Sequence, residues 1–142
     1  MALRAFLALF LLALGTAVAA PQRFEASTLK FLYHVSFEEK KGEVRGVLER
    51  SEYGVNRMKY RFTGQWTPLP SGDKGRGLLV TFLPKDLKKY GDPYSFPTAG
   101  KDLIWRLVPT KDGDRLYIRT TSRIYSSPTK WKVTELVFEP QD

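Results

Sequence analysis

Apolar and polar side chains alternate in short runs along most of the chain. Over residues 29–37, Leu29, Phe31, Tyr33, Val35 and Phe37 fall on one face and Lys30, His34 and Ser36 on the other, with Leu32 the exception. A period of two over that length predicts a half-buried β-strand. Residues 38–42 form a polar turn ending in Gly42, suited to a hairpin. A return strand follows over residues 43–53, where Gly46 interrupts the pattern and predicts a bulge or a close backbone approach. After Gly54, a long strand is predicted over residues 55–66. Asn56, Met58, Tyr60 and Phe62 share one of its faces, and Arg57, Lys59 and Arg61 the other.

Residues 67–77 are rich in Pro and Gly and read as a loop. Residues 78–83 are a short, mostly apolar run, predicted to be a strand covered on both faces. Residues 85–90 suit a single helical turn, and residues 91–101, with two prolines and the aromatics Tyr94 and Phe96, are irregular. Three further strands are predicted over residues 103–108, 115–125 and 131–138, the first two joined by the hairpin signal Lys111-Asp112-Gly113-Asp114. A brief helix is expected around residues 24–28. Hairpin-sized links between about seven strands predict an all-β fold: one antiparallel meander closing into a small barrel or a half-open barrel.

The N-terminal segment follows a different pattern. Arg4 precedes an unbroken apolar run over residues 5–14, then Gly15 and Thr16, then Ala17-Val18-Ala19. A basic start, a short apolar run and small residues at the cut site form a secretory signal peptide. The run is shorter than the roughly 20 residues a membrane span needs. Residues 1–19 are therefore expected to be a helical, cleavable leader and residues 20–142 one all-β domain, periplasmic or secreted. Cleavage one residue later would place Pro21 directly behind the scissile bond. The absence of cysteine rules out a lipid anchor on a cysteine behind the cut, as well as disulfides and thiol chemistry.

Composition narrows the chemistry further. The chain has 23 Lys and Arg against 15 Asp and Glu, a net charge of +8, of which Arg4 leaves with the leader. A basic exported domain is attracted to anionic lipid, polysaccharide or nucleic acid, and the same charge also serves solubility. His34 is the one histidine, on the polar side of its strand, with no nucleophile in evident reach. With one His and no Cys, a thiolate or imidazole metal site is not expected, and Asp112 and Asp114 lack calcium-loop spacing. The glycines of residues 72–77 lack the Lys-Ser/Thr ending of a phosphate loop. Among Glu43, Glu49, Glu52, Asp86, Asp92 and Asp102, nothing singles out a catalytic pair. No cofactor is implied.

These readings favour a non-enzymatic binding protein of the bacterial envelope. It would hold a hydrophobic small molecule, lipid or envelope-derived ligand in the barrel interior or beneath the 91–101 loop. The expected lining is Tyr33, Tyr60, Trp66, Tyr94, Phe96 and Trp105. The alternative is a module that binds an anionic polymer or membrane surface through Arg57, Lys59, Arg61, Arg115, Arg119 and Arg123, which alternate along two strands. No stable nucleic-acid partner is expected. In general plan the chain resembles calycins and periplasmic lipoprotein carriers. It contains no motif of either group, so the likeness implies no function.

Overall fold

The computed structural model describes residues 21–69, 74–91, 103–124 and 127–142, with the backbone alone over most of 121–133. Residues 1–20, which include the segment expected to be a leader, and residues 70–73, 92–102 and 125–126 lie outside the described residues.

Eight strands form one closed antiparallel barrel in sequential order. They are β1 (Gln22–Ser27), β2 (Leu32–Lys40), β3 (Glu43–Glu52), β4 (Val55–Thr67), β5 (Arg76–Phe82), β6 (Ile104–Thr110), β7 (Gly113–Ile124) and β8 (Ser127–Gln141). Among the described residues one helix, α1 (Pro84–Tyr90), follows β5.

The added strand is β1, where a brief helix was expected around residues 24–28. Its inward side chains, Phe24 and Ala26, alternate with outward Arg23 and Glu25. Six residues of β1 pair with β2, and three pair with β8: Arg23 opposite Gln141, Phe24 opposite Pro140 and Glu25 opposite Glu139. Closure satisfies the backbone groups that an open edge would expose, and it decides against a half-barrel.

β2 begins at Leu32, three residues later than the alternation predicted. The Thr28 N–H donates to the Phe31 carbonyl, and the Phe31 N–H donates to Thr28 Oγ1, closing a turn that leaves Leu29 fully in solvent. β5 is covered on one face only, in place of the two predicted. Leu78, Val80 and Phe82 are buried, while Leu79, Thr81 and Leu83 face outward. The apolar run hid a strand of ordinary alternation because two of its outward residues are leucines.

The interior is filled with rings. Phe62 and Trp105 meet edge to face at 4.9 Å between centroids, and Phe82 touches both. Phe24 stacks on Phe37 at 5.6 Å, Tyr33 meets Phe138, and Tyr60 meets Phe82 and Tyr90. Leu48, Leu78, Leu116, Ile118, Val35, Val44 and Val80 fill between them. A barrel of this strand number has an interior just wide enough for side chains.

Gly46 produces a close approach and not a bulge. The register runs unbroken through Phe37, Gly46 and Phe62 on β2, β3 and β4. A Cβ on Gly46 would lie 2.5 Å from the Phe62 ring and 2.7 Å from Phe37 Cβ. The irregularity in β3 comes later, between Arg50 and Glu52.

Candidate functional site: a furrow on the outer face of β2 to β5

Gly46 puts no side chain inside the barrel, which lets the β3 backbone approach the Phe37 and Phe62 side chains closely, and a hollow opens on the outer surface there. Two outward rows line it. One runs Ser36, Val47, Arg61 across β2, β3 and β4, and continues to Leu83, whose N–H donates to the Arg61 carbonyl at 2.9 Å. The other runs Glu38, Arg45, Thr63, Thr81 across β2 to β5. Neighbouring strands lie about 4.8 Å apart, so each row spans about 14 Å. Pro21 stands at one rim and Pro84 at the other, and parts of Phe37, Phe62 and Phe82 form the floor.

The hollow measures about 590 Å³, within the range of small-molecule sites. A second hollow of about 330 Å³ shares Glu38 and Arg45 with it and adds Lys40, Lys41 and Glu43. A third, of about 160 Å³, shares Thr63 and Thr81 with the first and Glu43 with the second. Together they make one furrow. Val47, Leu83 and the two prolines line one end, and charged side chains line the other.

The Pro84 wall is fixed to the barrel by Asp86 of α1. Its Oδ2 accepts the Arg61 backbone N–H at 2.8 Å and the Arg61 Nε–H at 2.9 Å, and its Oδ1 accepts Nη2 at 2.8 Å. These hydrogen bonds hold the Asp86 carboxyl at about 2, below the ordinary 3.8, and raise the Arg61 guanidinium. The Arg61 side chain remains 59% exposed, so its charge still faces the furrow.

The aromatic residues expected to line a ligand site lie elsewhere. Tyr33, Tyr60 and Trp105 are almost fully buried core residues, and Trp66 is partly buried with its ring against Phe37 and under the Arg76 guanidinium. Burial raises the Tyr33 hydroxyl above its ordinary value, an effect opposed by the charge of Arg50. Tyr94 and Phe96 lie outside the described residues.

Most of the basic residues expected to bind an anionic partner face carboxylates. Arg57 lies 3.9 Å from Glu49, and exposed Lys59 sits opposite Glu49 in the ladder. Arg115 donates to Glu139 at 2.9 Å, which raises its guanidinium. Arg119 is exposed and lies opposite Glu135, which accepts from Arg106 at 2.8 Å. The side chain of Arg123 lies outside the described residues. His34 Nδ1 lies 3.6 Å from Glu25 on the neighbouring strand.

Of the described residues expected to bind a hydrophobic or anionic ligand, only Arg61 lines the furrow, while Glu43, one of the carboxylates considered for catalysis, lines its charged end. Val47 and Leu83 were the available signal, each apolar in the outward phase, one midway along β3 and the other just beyond β5. Among the described residues, no group of three or more His, Cys, Asp or Glu is placed to hold a metal. Nor is any helix among them long and apolar enough to cross a membrane.

No family model, no curated protein and no solved structure matches this chain.

Proposed function

We propose that the chain is an exported, non-enzymatic binding protein whose hydrophobic ligand lies in the furrow on the outer face of β2 to β5. One observation carries the reading: a hollow of about 590 Å³ opens over apolar side chains on a strand face that solvent would otherwise reach. The packing of rings in the interior supports placing the ligand outside the barrel. The charge pairing of Arg57, Arg61 and Arg115 weakens the polyanion reading, because a polymer would meet carboxylates on the same faces.

Nile red, a neutral dye that brightens in apolar surroundings, tests the reading. Native protein should enhance its emission. Val47→Asp, which changes an outward side chain and leaves the core intact, should abolish the enhancement with an unchanged circular dichroism spectrum. No enhancement by the native protein, or equal enhancement by the variant, overturns the proposal.

A further inference from the structure

The furrow changes character along its length, and its charged end holds both signs. At that end Glu38 lies opposite Arg45, and Lys40 opposite Glu43, in the β2–β3 ladder. Lys41 extends the cluster into the hairpin turn. These charges are poorly spent on one another. The Arg45 and Glu43 side chains are 72% and 47% exposed and lie 3.6 Å apart, a solvent-facing pair of little intrinsic worth. They are free to turn toward a ligand at small cost.

We infer that the furrow takes a single-chain phospholipid with a zwitterionic head, its acyl chain over Val47 and its head between Arg45 and Glu43. The inference rests on the furrow being the ligand site. A head of one sign gains from half of this cluster and is repelled by the other half. A zwitterion satisfies both halves. Its phosphate accepts from the Arg45 guanidinium, whose planar fork suits phosphate oxygens, with Lys41 adding charge. Its ammonium donates to the carboxylates of Glu38 and Glu43. A polyanion gains no such match. The apolar hollow shares Glu38 and Arg45 with the charged one, so chain and head occupy continuous space.

The test uses residues 20–142 and displacement of Nile red by three amphiphiles with the same lauroyl chain. Lauroyl lysophosphatidylethanolamine is zwitterionic, laurate is anionic and monolaurin is neutral. All are kept below the concentrations at which they form micelles. The zwitterion should displace the dye at about fivefold lower concentration than either of the others. Arg45→Glu should erase the advantage of the zwitterion over monolaurin. Equal potency of the three, or laurate as the strongest, overturns the head-group inference and leaves the furrow as an apolar site. An advantage that survives Arg45→Glu overturns it as well. Failure of all three to displace dye that Val47→Asp does not affect removes both the inference and the site it rests on.

Discussion

Arg61 and Asp86 hold β4 and α1 together through both oxygens of one carboxylate, and one of the three donors is the Arg61 backbone N–H itself. The backbone donor makes the contact structural. The β4–β5 ladder ends at Phe62 and Phe82, and the Leu83 carbonyl beyond it accepts from the Asp86 and Leu87 N–H groups of α1 and not from Arg61. Asp86 supplies the acceptor.

A pH dependence follows, and its sign is fixed. The Asp86 carboxyl titrates at about 2 in the folded chain and at 3.8 when unfolded. Its contribution to stability is therefore complete above about pH 4 and is lost as pH falls toward 2. Urea unfolding followed across that window should show the loss in the native chain and not in Asp86→Ala. At neutral pH Asp86→Ala should cost about 1–2 kcal/mol, because a part-buried N–H and a guanidinium lose their acceptor. An unchanged urea midpoint for Asp86→Ala would contradict the role given to the pair.

Gly46 should tolerate no side chain. The missing Cβ would meet the Ser36 carbonyl, the Phe62 ring at 2.5 Å and Phe37 Cβ at 2.7 Å, and the first of these is backbone that cannot swing aside. Gly46→Ala should destabilise by about 1–3 kcal/mol, the usual cost of overpacking. It should also lift β3 outward and make the furrow shallower. Gly54→Ala is the comparison: its Cβ meets nothing within 4 Å, and only its φ of +94° opposes the change. If Gly46→Ala unfolds at the same denaturant concentration as the native chain, the close approach is not rigid and the origin given for the furrow fails.

The sequence made the barrel legible for a simple reason. Strand faces are set by a period of two, and Tyr33, Val35 and Phe37 or Tyr60 and Phe62 display it without interruption. β1 escaped notice because its inward set is only Phe24 and Ala26, too few to establish a period. Its strand character comes from pairing with β2 and β8, a relation between ends of the chain that are far apart in sequence. The candidate site escaped for a related reason. Large aromatics attract attention as ligand contacts, yet in so narrow a barrel Trp105 and Tyr60 are needed to fill the interior. The furrow depends on what is missing at Gly46 and on Val47 and Leu83, modest residues from strands that meet only in three dimensions.

Binding to acidic polymers should be weak. Arg57, Arg61 and Arg115 each face a carboxylate, so the outer faces are mixed in charge despite the basic total. On heparin the mature chain should elute below about 0.15 M salt, since few phosphate- or sulfate-like contacts can form without displacing an existing partner. Retention to several times that concentration would restore the polyanion reading and would direct attention to Lys59 and Arg119, which project from the barrel's exposed faces.

Export itself is open to a direct measurement. The apolar run ends before Gly15, and Ala17 and Ala19 place small side chains at the two positions a signal peptidase reads. A cut after Ala20 would require Pro21 immediately behind the scissile bond, so the cut is expected after Ala19. The first strand starts at Gln22, two residues beyond the expected new terminus at Ala20. Protein recovered from the periplasm or medium of an expressing bacterium should have the intact mass of residues 20–142. Ala19→Pro should slow release and leave the full-length chain with the cells. Recovery of a chain beginning at Met1 or Ala2 in the soluble cell extract, with none outside, would refute export and with it the compartment in which the furrow is proposed to meet its lipid.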